Sequence, residues 1–87
     1  MLASYEFLIQ SRKEDIDFIN KIMEAYEGFG VVRTVDANAG IVNIISTDDF
    51  KDEAKEIILD LSKNYGIVAD IIEEGPWKVS LYINKKA

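Results

Sequence analysis

Two spacings of apolar residues alternate along this chain, and this alternation limits its possible folds more than any other feature. From Ser4 to Gln10, the apolar residues Tyr5, Phe7 and Ile9 occupy every second position, which is the period of a β-strand. From Ile16 to Tyr26 the apolar residues recur every three or four positions, which is the period of an amphipathic helix. Because both patterns recur later in the chain, the sequence predicts alternating strands and helices.

The predicted order of elements is β-α-β-β-α-β-β, within a single domain that spans residues 1–87. The first six elements give an α+β, ferredoxin-like β-α-β-β-α-β sandwich, in which two helices cover one face of an antiparallel sheet. An additional C-terminal strand is expected to extend this sheet by a hairpin from the fourth strand. The five strands are predicted at Ser4–Gln10, Gly30–Asp36, Ile41–Ser46, Ile67–Ile72 and Trp77–Asn84.

Local signals predict where the two helices begin and end. Ser11 to Glu14 has the spacing of a capping box, in which a serine oxygen accepts from an early helical N–H group and a glutamate reaches back. Gly28 fits a C-terminal cap because glycine tolerates the left-handed conformation. The second helix is expected to open around Ser46 to Asp49 and to end near Gly66. Its predicted buried residues are Phe50, Ala54, Ile57, Ile58, Leu61 and Tyr65.

The segment between the second and third strands, Asp36 to Gly40, has the composition of a turn. Asn38 and Gly40 both adopt positive φ angles readily, as hairpin loops require. No convergent set of polar residues accompanies the segment. We therefore interpret it as a hairpin loop and not as a binding element.

Charge and hydropathy exclude several classes of partner. With 16 acidic and 10 basic residues, the chain has a net charge of −6 and offers no basic face for nucleic acid. No apolar run approaches the ~20 residues that a membrane span requires, and the N-terminus does not read as a signal peptide. We expect a cytoplasmic protein that binds neither nucleic acid nor membrane. The richness in Ile, Lys and Glu is compatible with a thermophile.

The residue types that most often carry catalysis are missing. The chain has no cysteine and no histidine, which excludes disulfides, thiolate metal sites and the usual general base. We therefore expect no catalytic residues, no bound cofactor and no metal. A hydrolase or transferase built on Asp, Lys and Ser stays open as a more distant alternative.

Two short motifs resemble functional signatures but have simpler explanations. The glycines of Gly28-Phe29-Gly30 begin like a dinucleotide fingerprint, yet they follow a helix and precede a strand, which is the reverse of the required order. Asp48 to Asp52 matches the spacing of magnesium–diphosphate sites. At a helix start, however, acidic residues cap N–H groups and complement the helix dipole. We interpret both motifs as structural.

Apolar residues occupy both faces of several predicted strands. Leu8 is predicted on the other face of its strand from Phe7, and Val31 and Val35 on the other face from Val32. Because two helices cover only one face, these residues predict an exposed apolar patch, and such patches usually mark interfaces. We expect a homodimer, formed through the open sheet face or an edge strand. The alternative is that strand twist and the fifth strand cover some of these side chains.

Arg33, one of two arginines, lies within the second strand among valines. Its guanidinium group is suited to pairing with an acid on the neighbouring strand or across a dimer. It is equally suited to binding a ligand carboxylate bidentately. We favour the structural pairing.

The stretch from Glu24 to Ile44, EAYEGFGVVRTVDANAGIVNI, is similar to a family of short bacterial proteins classified only as a domain of unknown function. The shared pattern is structural and contains no catalytic signature. The resemblance therefore implies no activity and assigns no site residues.

At the level of the fold, the chain also resembles ACT-type regulatory domains, which bind amino acids at dimer interfaces. In such a role Ser11, Arg12 and Arg33 are the candidate ligand contacts, although the turn after the first strand lacks the glycine common in ACT domains. Our leading hypothesis is a non-catalytic module that self-associates and binds another protein. An ACT-like sensor of an amino acid or a similar small metabolite is the alternative.

Overall fold

The structure, a computed structural model, describes residues 4–26 and 29–76, which form one sheet and two α-helices. A single 3₁₀ turn, Lys13–Asp15, leads into the first helix. The elements are β1 (Ser4–Gln10), α1 (Ile16–Ala25), β2 (Val31–Asp36), β3 (Ile41–Thr47), α2 (Lys51–Tyr65) and β4 (Asp70–Gly75).

The four strands lie in the order β2-β3-β1-β4, and every neighbouring pair is antiparallel. The central strand, β1, pairs with β3 along its whole length, from Ser4 opposite Thr47 to Gln10 opposite Ile41. This arrangement confirms the predicted α+β class and is consistent with a ferredoxin-like topology. Both β2 and β4 are edge strands in this part of the chain.

One hydrophobic core lies between the sheet and the two helices. The sheet contributes Phe7 and Ile9 from β1 and Val42 and Ile44 from β3, each fully buried. These side chains alternate with their neighbours along the strand, as the period of two requires. The helices contribute Ile16, Ile19 and Met23 from α1 and Ala54, Ile58 and Leu61 from α2.

The opposite side of the sheet is called the helix-free face here because neither α1 nor α2 packs on it. It carries Glu6 and Leu8 of β1, Asn43 and Ile45 of β3, and Val31 and Arg33 of β2. Leu8 is 2% exposed and Asn43 is fully buried, although neither belongs to the core between sheet and helices. Asn43 Nδ2 donates a hydrogen bond to Glu6 Oε1 at 2.9 Å. Its Oδ1 atom has no hydrogen-bond partner within the described residues.

The start of α1 differs from the prediction of a capping box. Neither the 3₁₀ turn nor α1 has a side-chain cap, and the hydroxyl of Ser11 has no partner among residues 4–26 and 29–76. Ser11 is instead held at the end of β1, where its N–H group donates to Gly40 O at 2.7 Å. The chain is still extended at Arg12, so the serine lies too early to cap the helix.

The start of β4 also differs from the prediction, which placed the fourth strand at Ile67–Ile72. Ile67 belongs to the helix cap: its N–H group donates to Leu61 O, and Gly66 adopts the left-handed conformation with φ 66°. The chain needs Val68 and Ala69 to cross to the sheet, so β4 begins at Asp70. Glu73 and Glu74, which follow the predicted end of the fourth strand, therefore lie in β4.

The second helix begins later and buries less than predicted. β3 continues to Thr47, and α2 begins at Lys51 without a side-chain cap. Phe50 and Tyr65 are 38% and 46% exposed, so they lie at the margin of the core. Asp48 does not cap the helix but forms an ion pair with Lys51 at 3.2 Å. The predicted cap at Gly28 and the predicted fifth strand at Trp77–Asn84 lie outside the described residues.

The loop between β2 and β3 is the predicted hairpin turn. The N–H group of Ala39 donates to Asp36 Oδ1 at 3.1 Å, and Gly40 has φ 74°. Gln10 Nε2 donates to Ala39 O at 2.6 Å, which fastens the loop to the end of β1. All of these contacts are internal to the fold. Within the described residues, neither helix has the length and apolar character needed to cross a membrane.

Candidate functional site

The N-terminal half of β2 exposes apolar surface on the helix-free face. Val31 is 63% exposed, which is the highest value among the large apolar side chains of the described residues. It lies opposite Ile45 of β3, whereas the next residue, Val32, lies opposite Ile44 and packs against the core. The alternation of the strand therefore places one valine in the core and leaves the other without cover.

A shallow groove, which we call the β2 groove, lies beside Val31. Its volume is about 350 Å³, and much of its lining is apolar. Its lining also includes three residues with hydroxyl groups, Ser4, Ser46 and Thr47. Ser46 Oγ donates a hydrogen bond to Phe29 O, and the buried Thr47 Oγ1 has no partner in the described part of the chain. The lining residues are Ser4, Phe29, Gly30, Val31, Ile45, Ser46 and Thr47.

The groove forms because the chain passes very close to β3 at Gly30. A Cβ atom at Gly30 would lie 3.2 Å from Ile45 O and 3.3 Å from Met23 Cε, both tighter than ordinary contacts. Phe29, which also lines the groove, stacks edge-on against Phe50, with ring centroids 5.5 Å apart. The sequence did not predict this groove, because it depends on how far β3 extends beside the chain at Gly30. No periodic pattern reports that extent.

Arg33 lies next to Val31 on the same face, directly opposite Asn43 of β3. Its side chain is exposed, and the ion pairs of residues 4–26 and 29–76 do not include it. The predicted pairing with an acid on the neighbouring strand is therefore not formed within the described chain. Arg33 is therefore an exposed cation on the same face of the sheet as Val31.

The structure does not bring the three predicted ligand contacts together. Ser11 is 4% exposed at the end of β1, and Arg12 forms an ion pair with Asp15 at 2.9 Å. The hydrogen bond that Arg12 donates to Asp15, followed by the negative charge of Asp15, raises the pKa of Arg12. Arg33 lies two strands away from this turn. None of the three residues lines any of the grooves described in this section, so their role as ligand contacts stays a prediction.

A second, polar cluster joins β1, α2 and β4 on the opposite side of the sheet. Tyr5 OH donates to Glu74 Oε1 at 2.9 Å, and Lys55 Nζ lies 3.0 Å from Glu74 Oε2. Lys51 Nζ lies 5.0 Å from the centre of the Tyr5 ring. A groove of about 220 Å³ is bounded by these groups. Since the carboxylate of Glu74 already accepts from both neighbours, the cluster is a structural link between α2 and the sheet.

The cluster shifts two pKa values in opposite directions. Burial raises the pKa of Glu74, but hydrogen bonds from Lys55 and Tyr5 lower it by more, so the net pKa is below 4.5. Burial, followed by the hydrogen bond to Glu74, raises the pKa of Tyr5. Glu74 therefore stabilises the fold at any pH above its unfolded value. That contribution is lost as the pH falls through the folded-state pKa.

We expect Lys55→Gln to reduce the loss of stability on acidification. Without the Lys55 hydrogen bond and charge, the pKa of Glu74 moves back toward its ordinary value, and the free energy of unfolding depends less on pH below about 4.5. The effect is about 0.5 kcal/mol, because both side chains are partly solvated. Urea unfolding at pH 7 and pH 3 measures it. Lys63→Gln, an exposed lysine of the same helix, is the control and should behave as wild type. Equal acid sensitivity in the two variants would contradict the prediction.

A third groove, of about 380 Å³, lies beside α2 and is lined by carboxylates and aromatic rings. Its lining residues are Tyr26, Phe29, Glu53, Glu56, Ile57 and Asp60. Asp60 accepts a hydrogen bond from Asn64 one turn along the helix. In the described residues no group of three or more acidic side chains is arranged to hold a metal ion. Among the three grooves, the β2 groove combines exposed apolar surface with an edge strand of the described sheet, so it is the candidate functional site.

Most of this site lies in a part of the chain that matches a known protein family. Residues 9–64 match the model of the family described as Domain of unknown function (DUF4911). The chain belongs to the DUF4911 family. The matched part of this DUF4911 chain runs from the end of β1 nearly to the end of α2, and it includes all of β2 and β3. It therefore contains most of the β2 groove and Arg33, but not β4.

Comparison of the DUF4911 chain with curated proteins and with solved structures found no significant match. The family assignment itself carries no activity. Functional inference for this DUF4911 domain therefore rests on the geometry of its surface.

Proposed function

We propose that this domain is a non-catalytic module that self-associates and acts through protein–protein contacts at the β2 side of its helix-free face. The observation that carries the proposal is the exposure of Val31 beside an apolar groove, at the edge of the sheet. An edge strand presents unpaired N–H and C=O groups that can pair with a strand of another chain. Burial of the adjacent apolar surface favours this pairing. Covering Val31 alone contributes about 1 kcal/mol.

The charges of the two sheet edges support the choice of β2. Its sequence, VVRTVD, contains one arginine and one aspartate and is therefore neutral. The other edge of the described sheet, β4, has the sequence DIIEEG and contains three acidic residues. Two copies of a chain with net charge −6 repel each other, and this repulsion is smallest where the surface is neutral. β2 is thus the edge at which a second copy approaches most easily.

We expect Val31→Glu to abolish self-association, because it places a negative charge on the apolar surface of an already acidic protein. Light scattering across a concentration series, from about 10 to 500 μM, measures the average mass. The matched control is Leu59→Glu, since Leu59 is also strongly exposed, at 53%, but lies on α2. The wild type and the Leu59 variant should gain mass with concentration, and the Val31 variant should remain a monomer. A wild-type protein that is monomeric at every concentration would contradict the proposal.

An amino-acid or metabolite sensor is the second candidate, and one observation favours it. The hydroxyl of Ser11 is buried and has no partner within the described residues, as expected of a group that awaits a ligand. The test is a backbone amide NMR spectrum with and without pooled amino acids. Shifts localised to the turn after β1 would favour the sensor, and an unchanged spectrum would count against it.

A further inference from the structure

We infer that two copies of this chain join their β2 strands antiparallel about Val32, so that each Arg33 lies across the Val31 of the other copy. This inference rests on the proposed self-association and names its geometry. In this register a two-fold axis perpendicular to the sheet passes beside Val32, and Gly30 lies opposite Thr34 of the second copy. The four described strands of each copy then join in one continuous sheet.

The register follows first from the side-chain faces. A two-fold axis perpendicular to the sheet keeps each helix-free face on the same side. It therefore pairs residues whose numbers add to an even value. Arg33 and Val31 both lie on the helix-free face, since their partners on β3 are Asn43 and Ile45. Pairing about Val32 sets these two residues directly opposite each other. The methylene groups of the arginine then cover the exposed valine.

Two other registers are disfavoured, each by a specific feature. Pairing about Arg33 places two guanidinium groups directly opposite each other, and like charges in that position are destabilising. Pairing about Thr34 extends into the irregularity between Thr34 and Asp36, where β2 carries an extra residue relative to β3. Such bulges disrupt a ladder and turn an edge away from a partner. The segment from Val31 to Thr34 is regular, and pairing about Val32 uses that segment.

The groove and the unpaired cation complement each other in this arrangement. Arg33 has no ion pair within the described residues, and crossing Val31 brings its head to the β2 groove of the other copy. Ser4 and Thr47 line this groove, and the buried Oγ1 of Thr47 has no hydrogen-bond partner in the described part of the chain. An arginine donates up to five hydrogen bonds and accepts none, so hydroxyl acceptors suit it. Each copy therefore completes the groove of the other.

Cysteine cross-linking tests the register, because the chain has no native cysteine. In Val32→Cys the two thiols lie directly opposite each other, and mild oxidation should convert most of the protein to covalent dimer. In the matched variant Thr34→Cys the two residues lie four positions apart, about 13 Å along the strands. A disulfide does not span Cα atoms more than about 7 Å apart, so this variant should stay monomeric on a denaturing gel. Circular dichroism confirms that both variants are folded.

Charge reversal at Arg33 is an independent test. Arg33 is exposed, whereas Val32, the site of the cysteine substitution, is partly buried. Arg33→Glu should raise the dissociation constant of the dimer at least tenfold. Arg12→Glu, the same change at the other arginine, should alter it less than twofold. Equal effects of the two changes would overturn the assignment of Arg33 to the contact.

The outcomes separate this inference from the proposed function. Cross-linking at position 32 but not at position 34 supports the register. Preferential cross-linking at position 34, or none at either position in a protein that light scattering shows to be dimeric, overturns the register and leaves self-association standing. A wild-type protein that is monomeric at every concentration overturns both.

Discussion

Replacing Gly40 with alanine should lower the free energy of unfolding by about 3–5 kcal/mol. Gly40 has φ 74°, and a Cβ atom there would lie 2.4 Å from Ser11 O and 2.9 Å from Arg12 Cα. Both contacts are with backbone, which cannot move aside as the end of a flexible side chain does. The clash also strains the hydrogen bond from the Ser11 N–H group to Gly40 O, at 2.7 Å. Urea denaturation measures the loss.

Gly66→Ala separates the clash from the backbone conformation. Gly66 has a similar φ of 66°, but nothing lies within 4 Å of the position of its Cβ atom. Its substitution therefore carries only the left-handed penalty, about 1 kcal/mol. A Gly40 variant that loses no more stability than the Gly66 variant would show that the hairpin loop moves away from β1 at little cost.

The second large effect is expected for Asn43→Asp, at about 3 kcal/mol of destabilisation near neutral pH. The substitution preserves the shape of a fully buried side chain but removes its Nδ2 donor. The new carboxylate then faces Glu6 Oε1, the atom to which that donor lies at 2.9 Å. Two carboxylates at this distance, away from water, repel strongly. The free energy of unfolding from urea titration at pH 7 reports the change.

The control is the same substitution at the surface. Asn64 of α2 also donates to a carboxylate, that of Asp60, but both residues are solvated. Asn64→Asp is expected to cost less than about 0.5 kcal/mol. If the two variants were equally stable, burial of Asn43 on the helix-free face would not matter to the fold.

The sequence predicted the class of the fold and three of its strands closely, because those features follow from local periodicity. β1 begins and ends where the alternation of Tyr5, Phe7 and Ile9 places it, and the hairpin turn before β3 follows from the preference of Gly40 for positive φ. The start of β4 was wrong by three residues. An apolar residue such as Ile67 is suited both to a helix cap and to a strand. The spacing of apolar residues alone does not distinguish these two positions.

The candidate site was predicted only in part. Apolar residues on both faces of several strands predicted an exposed apolar patch, and Val31 is exposed on the helix-free face. Leu8, which was also predicted to lie in that patch, is only 2% exposed. The groove beside Val31 was not predictable, since it depends on the close approach of Gly30 to Ile45. The predicted capping box at Ser11 was wrong because the Ser11 N–H group donates to Gly40 O and holds this residue at the end of β1. Gly40 is far from Ser11 in sequence. Local patterns do not contain such long-range hydrogen bonds.

The position of β1 between β3 and β4 has a consequence for how this protein folds. Tyr5 bonds to Glu74 across 69 residues of sequence, whereas β2 and β3 pair through a short turn. Folding rates fall as contacting residues become more distant in sequence, because loop closure must precede the contact. We therefore expect the β2–β3 hairpin to form early and β4 to dock last. During synthesis, the side of β1 that pairs with β4 in the complete sheet then stays unpaired until β4 has been made. For that period β1 exposes a strand edge.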